Sequence, residues 1–140
     1  MLYLGTFFHT LDAKGRVFIP ARFRENIGEE FVLFKAPDKC ISIYDTSNFE
    51  KLVDQVKMLS RTPKERNMQR HFYDSALTVN MDKQGRFTLP QDFIDHASLG
   101  TEVVITGAAN RLEIWSKAAY DERVAAAADL TPEDYPEIIY

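Results

Sequence analysis

Phe7, His9 and Leu11 fall on one side of an alternating segment that runs from Leu4 to Leu11, and Leu77, Val79 and Met81 do the same between Ala76 and Met81. Alternation of this kind is the mark of a half-buried strand, so both segments read as strands. Phe31-Val32-Leu33-Phe34 and Val103-Val104-Ile105-Thr106 are denser apolar runs and read as buried strands. Cys40-Ile41-Ser42-Ile43-Tyr44 and Arg111-Leu112-Glu113-Ile114-Trp115 alternate again. His9 stands where the other segment has Val79, which marks it as a partly buried, hydrogen-bonded histidine in preference to a ligand.

Helical spacing fills the gaps. Pro20 leads into Ala21-Arg22-Phe23-Arg24-Glu25-Asn26-Ile27, a short helix that Gly28 can stop, and Pro90 to Leu99-Gly100 repeats the plan two residues longer. Ser47 and Glu50 form a capping box for a helix whose apolar stripe is Phe49, Leu52, Val53, Val56 and Leu59. Ser116 caps the equivalent helix, with Tyr120 and Val124 on its stripe. Thr62-Pro63-Lys64-Glu65 starts a helix between the two, and Arg61 to Arg70 carries four bases against Glu65, a charge that suits either a nucleic acid or a solvated subunit contact. After Ala125-Ala126-Ala127-Ala128, the segment Leu130-Thr131-Pro132-Glu133-Asp134 caps a last short turn. Ile138-Ile139-Tyr140 read as a docking segment or a disordered end.

The elements therefore come twice, as β-β-α-β-β closed by a helix, and the residues repeat with them. Leu11-Asp12-Ala13-Lys14-Gly15-Arg16-Val17-Phe18-Ile19-Pro20-Ala21-Arg22-Phe23 returns 70 residues later as Met81-Asp82-Lys83-Gln84-Gly85-Arg86-Phe87-Thr88-Leu89-Pro90-Gln91-Asp92-Phe93. Asp, Gly, Arg, Pro and Phe are identical in the two copies. Asp-x-x-Gly-Arg between apolar runs predicts a β-hairpin on a type I turn with a bulge: Asp12 or Asp82 accepts the N–H two residues on, and Gly15 or Gly85 takes the left-handed conformation. Arg16 and Arg86 then open the return strands with their side chains free to point outward.

At 140 residues the chain fits one domain, and a repeat of ~45 residues buries too little surface to stand alone, so the two are expected to share one core. No apolar run approaches the ~20 residues of a membrane span, and the N-terminus lacks the basic and long apolar regions of a signal peptide. The single Cys40 cannot form an internal disulfide, which fits a reducing cytoplasm, and its place at a strand start fits a structural residue. A net charge of −4 argues against a uniformly basic nucleic-acid binder. The distribution of charge points the other way: residues 12–24 hold Lys14, Arg16, Arg22 and Arg24 against Asp12, whereas residues 124–140 hold Asp129, Glu133, Asp134 and Glu137 and no base. His9, His71 and His96 have no metal-ligand spacing with the single Cys, and no nucleophile elbow, P-loop or dinucleotide fingerprint occurs.

The doubled Asp-x-x-x-Arg-x-x-x-Pro pattern, behind Met1-Leu2-Tyr3-Leu4-Gly5-Thr6-Phe7, closely resembles the MraZ family of bacterial transcriptional regulators over residues 1 to about 125. The resemblance implies an α+β fold in which tandem β-β-α-β-β repeats form an AbrB-like swapped-hairpin β-barrel with flanking helices. It implies a first repeat over 1–60, a linker helix over 61–75, a second repeat over 76–128 and an acidic tail over 129–140. It further implies a ring-shaped homo-oligomer, often an octamer, that binds double-stranded DNA at direct repeats in the promoter of its own cell-division and cell-wall operon. Such a regulator is cytoplasmic and nucleoid-associated, and needs no cofactor, metal, membrane or small-molecule substrate.

Within that expectation the contact residues are Lys14, Arg16, Arg22, Arg24, Lys83 and Arg86, with Asp12, Gly15, Asp82 and Gly85 shaping the turns. Arg offers a planar fork for guanine O6 and N7 or for phosphate, and a hairpin tip fits a major groove. Lys14 and Lys83 suit phosphate. The plainer reading of Arg16 and Arg86 is an exposed ion pair back to Asp12 and Asp82, worth ~0–1 kcal/mol. The two roles are compatible, because an Asp that holds Arg in one rotamer orders it in advance. The rival in another class is a non-catalytic structural or protein-binding ring, and a small enzyme ranks well behind both.

Overall fold

The structure is a computed structural model that describes residues 1–135. Strands β1 (Thr6–Thr10) and β2 (Arg16–Phe18) precede a 3-10 turn at Ala21–Phe23 and the short helix α1 (Arg24–Ile27). Strands β3 (Glu30–Lys35) and β4 (Ile41–Asp45) follow, then helices α2 (Thr46–Val56) and α3 (Pro63–Asp74). The second set is β5 (Ala76–Asn80), β6 (Arg86–Thr88), α4 (Gln91–His96), β7 (Glu102–Gly107), β8 (Leu112–Ser116) and α5 (Lys117–Ala127), with a 3-10 turn at Pro132–Asp134. The fold is α+β, and every strand pairing in it is antiparallel.

Six strands form one sheet in the order β1-β7-β8-β4-β3-β5, and β2 and β6 form a separate two-stranded ribbon. The two central strands, β4 and β8, are equivalent elements of the two repeats, and their pairing sets Ile41 opposite Ile114 and Ile43 opposite Leu112. On either side the repeats exchange strands, β1 of the first lying on β7 of the second and β5 of the second on β3 of the first. The swap is therefore present, but backbone pairing does not close the sheet into a barrel: β1 and β5 end it, and the ribbon packs against its inner side. β2 and β6 are three residues each and end near Pro20 and Pro90, too short to bridge those two edges.

The predicted hairpins are also only partly hairpins. Asp12 N–H donates to Arg16 O at 3.1 Å and Asp82 N–H to Arg86 O at 2.8 Å, and beyond that closing bond the arms part, one to the sheet and one to the ribbon. Local turn chemistry dictates the corner, while the choice of partner strand belongs to the other repeat.

One core joins both repeats. The inward face of the ribbon (Val17, Ile19, Phe87, Leu89) meets that of the sheet (among them Phe31, Leu33, Ile43, Val103, Ile105 and Leu112), sealed by Phe23, Ile27 and Phe93 from the short helices. Phe31 of the first repeat packs edge-to-face on Phe87 of the second at 5.1 Å. Each such residue fully buried contributes roughly 1.5–3 kcal/mol, and contacts such as Phe31 on Phe87 form only when both repeats are present.

The outer side of the sheet is covered too. Phe49 of α2 and Phe72 of α3 stack at 5.7 Å over Phe34, and Trp115 lies beneath Arg123 of α5. β4 and β8 are thus buried on both faces, although their sequences alternate as if one face were wet. Cys40 is fully buried here, and burial pushes its thiol up to about 12, which leaves it a structural residue.

Several local expectations shift. Asp45, not Ser47, caps α2, because its carboxylate accepts both the Asn48 N–H (2.8 Å) and the buried Tyr3 hydroxyl (2.7 Å). Helix α4 stops at His96, since Ser98 takes the left-handed conformation (φ 51°) and Leu99 N–H turns back to Ile94 O at 3.0 Å. Leu77 is exposed on the edge strand β5, and Val124 is exposed on α5, which buries no residue. The caps Thr62 and Ser116 accept the N–H of Glu65 and Ala119, each at 3.0 Å, as their sequences predict. His9 is half-buried, and its pKa is lowered by desolvation and by the charge of Arg24. Ile138-Ile139-Tyr140 lie outside the described residues.

Candidate nucleic-acid interface

The two turns are built alike, bond for bond. Asp12 Oδ1 accepts the N–H of Lys14 (2.9 Å) and of Arg16 (2.8 Å), and its Oδ2 accepts Arg16 Nε at 2.7 Å. Asp82 Oδ1 accepts the N–H of Gln84 (2.8 Å) and of Arg86 (3.0 Å), and its Oδ2 accepts Arg86 Nε at 2.9 Å. Gly15 and Gly85 each close the turn by donating to the Asp carbonyl at 3.0 Å, with φ of 76° and 82°. Both carboxylates are held below the usual carboxylate range, first by the N–H of Arg16 or Arg86 and also by the guanidinium. They are charged at neutral pH and fix each arginine by its Nε edge. The two Nη groups are left as the outward end of the fork, the part that meets a bidentate acceptor.

Each repeat also holds the turn of the other. Ile19 N–H donates to Gly85 O at 2.9 Å, and Leu89 N–H to Gly15 O at 2.8 Å. Arg24 donates from Nε to Ile19 O at 2.8 Å and lies against Gly85, while its repeat partner Ile94 lies against Gly15. Arg24 is therefore partly buried and braces the second turn. Arg22 is exposed, with its guanidinium 5.4 Å from the Phe23 ring.

The ribbon brings the candidates together. Arg16 pairs with Thr88 and Phe18 with Arg86, so these four side chains share the outward face while Val17 and Phe87 point into the core. The turns, with Lys14 and Lys83 exposed on them, stand at opposite ends of this ribbon. Diagonal neighbours on such a ribbon lie roughly 7–8 Å apart, which is the reach of about two base-pair steps. Phe18 and Thr88 are not candidates on composition, yet the alternation Arg16-Val17-Phe18-Ile19 carries the signal: with Val17 and Ile19 buried, Phe18 must face out. The cavity of about 710 Å³ between α3, the β3–β4 turn and α4 shares no residue with the turns or the ribbon. Among the described residues no group of His, Cys, Asp and Glu is placed to hold a metal, and no helix is long and apolar enough to cross a membrane.

The glycines make this geometry testable. Gly15→Val and Gly85→Val are each expected to cost at least the ~1–2 kcal/mol of a left-handed L residue. At Gly85 the added Cβ also displaces the flexible Arg24 guanidinium from its bond to Ile19 O, and at Gly15 it approaches the backbone Leu89 O at 3.3 Å, so each site carries a local cost beyond the backbone strain. Thermal unfolding should show a Tm loss for both variants, and unchanged Tm values would refute the turn assignment.

Comparison with known proteins agrees with the doubled pattern. The family described as MraZ protein, antitoxin-like, matches twice, over residues 2–71 and 72–134. A protein of Finegoldia magna is 38% identical over 122 residues, covering 86% of this chain and 85% of that one. One from Caldanaerobacter subterraneus subsp. tengcongensis is 37% identical over 137 residues (97% and 95%), and one from Thermoanaerobacter sp. strain X514 is 40% identical over 122 residues (86% and 85%). All three are named transcriptional regulator MraZ.

Proposed function

The chain belongs to the MraZ family, and on that footing we propose that it is a DNA-binding transcriptional regulator, not an enzyme, with the β2–β6 ribbon and its two turns as the DNA-reading surface. The observation that carries this reading is the pair of arginine forks, Arg16 and Arg86, each fixed through Nε by its own aspartate on one exposed face. An isolated surface ion pair is worth ~0–1 kcal/mol and is a weak reason for the same construction to occur twice. Pre-ordering a fork for guanine or phosphate is a stronger one, because the rotamer entropy is lost before DNA arrives.

Roles follow from position. Arg16 and Arg86 read bases. Lys14 and Lys83, on the turn tips, and Arg22 meet phosphates, while Arg24 supports Gly85 and reaches DNA only through the turn it braces. The first repeat (1–60), the helix over 61–75, the second repeat (76–128) and the acidic tail (129–140) form one protomer of a ring, an octamer in this reading. The ring sits on direct repeats in the promoter of its own cell-division and cell-wall operon, in the cytoplasm and on the nucleoid. The net charge of −4 supports the ring, since one protomer offers few bases to hold a polyanion and several must act together.

A gel-shift with the DNA upstream of the chain's own gene, against unrelated DNA of equal length at the same salt, tests the proposal. Preferential retardation of the upstream DNA is expected. Equal or no retardation would favour a structural ring whose Asp-Arg pairs only hold turns.

A further inference from the structure

The outward face of the ribbon is not uniformly polar. Phe18 is 41% exposed at its centre, directly opposite Arg86 and two residues from Arg16 on the same strand. A lone exposed apolar residue needs no explanation on an ordinary surface. This one stands where the only other outward side chains of β2 and β6 are two aspartate-fixed arginines and a threonine.

Resting on the DNA-binding reading above, we propose that Phe18 is a specificity residue that packs on the 5-methyl group of a thymine in the major groove, beside the base pair engaged by Arg86. The proposal places the ribbon in the major groove, because in an undeformed duplex a groove ~12 Å wide admits a two-stranded ribbon, whereas a minor-groove wedge requires the duplex to be kinked. In the major groove the one apolar feature that distinguishes the bases is the thymine methyl. An exposed ring between two guanidinium forks therefore meets either water or that methyl.

The repeat gives the proposal a further consequence. At the pseudo-symmetric position of the second repeat stands Thr88, which is smaller and polar at one end. The ribbon has a direction that its two arginines alone would not give it, so it discriminates between the two orientations of a site. Such a surface engages each site in one orientation, and the arrangement of protomers then decides whether successive sites run in the same or in opposite directions.

The test uses the full-length chain and needs no knowledge of the operator. The upstream DNA is copied once with thymidine and once with deoxyuridine triphosphate, which removes every 5-methyl and leaves base pairing intact. Wild type and Phe18→Ala are titrated against both at fixed salt. Wild type should bind the uracil duplex about fourfold more weakly per engaged site, the effect of one buried methyl. Phe18→Ala should bind the thymine duplex more weakly than wild type by at least that factor and should not distinguish the two duplexes. Circular dichroism and melting of Phe18→Ala should match wild type, since the ring is not part of the core. Equal affinity of wild type for both duplexes, or the same loss in both proteins, would overturn the proposal and leave the arginine reading standing. Failure of wild type to bind the thymine duplex at all would overturn both.

Discussion

The double variant Arg16→Ala, Arg86→Ala is expected to lose specific DNA binding and keep its fold. Each arginine in a bidentate base contact is worth ~1–3 kcal/mol, so each single variant should weaken binding by about 5- to 150-fold and relax preference at one position. The two losses should nearly add, because the residues sit at diagonal positions of the ribbon and are held by separate aspartates. Stability should change little, since both pairs are solvent-exposed and each aspartate keeps its bond to the N–H of Lys14 or Gln84. Arg16→Lys separates shape from charge: an ammonium keeps the phosphate attraction and loses the fork, so non-specific affinity should survive while discrimination falls. Fluorescence anisotropy with upstream and unrelated duplexes, beside melting curves, measures all of this. Unchanged affinity in the double variant would leave the aspartate-arginine pairs as turn braces only.

What could be read along the chain was what is decided within a few residues. Asp12 and Gly15 dictate their turn because the carboxylate, the two N–H groups and the left-handed glycine all lie inside one five-residue window, and the same holds for Asp82 and Gly85. Ser116 and Thr62 are legible as caps for the same reason. At α2 the local rule was overridden by a distant partner: Tyr3, 42 residues away, fixes Asp45 and draws the cap two residues forward. Partner choice was legible only through the family resemblance, which implies swapped hairpins, and not from the strand residues themselves. Nothing within Thr6–Thr10 says that β1 prefers β7 of the other repeat to β2, which follows it, because that preference is decided by the core all four repeat faces make together. Arg24 shows the same limit. Its charge reads as part of a basic face, but the exchange of repeats places its guanidinium against Gly85.

Exchange of strands has a consequence for recognition. The carbonyl of Gly15 is held by Leu89 and that of Gly85 by Ile19, so neither turn moves without the other repeat. Both arginine forks are thus mounted on one rigid core, and in the proposed ring recognition would be set by where protomers stand relative to one another.

In the proposed ring, affinity is therefore expected to depend on the phase of the operator repeats more steeply than on any single contact. A protomer with net charge −4 and a handful of bases on its ribbon and turns grips one site weakly. Once a first protomer is bound, a rigidly linked neighbour meets DNA as an intramolecular reaction, and such linkage raises affinity by ~10²–10⁴ without a new contact when the geometry matches. Matching means that successive sites face the same side of the duplex, ~10–10.5 bp apart. Duplexes with one repeat, with two repeats in phase and with two repeats half a turn out of phase should thus rank weak, tight and weak. Inserting a further half turn into the out-of-phase duplex should restore most of the lost affinity, which distinguishes phase from mere distance. Fluorescence titrations of the three at one salt concentration give the ranking, and light scattering of the same samples reports whether one assembly spans both repeats. Equal affinity for all three would mean that protomers bind independently and that assembly has no part in reading DNA.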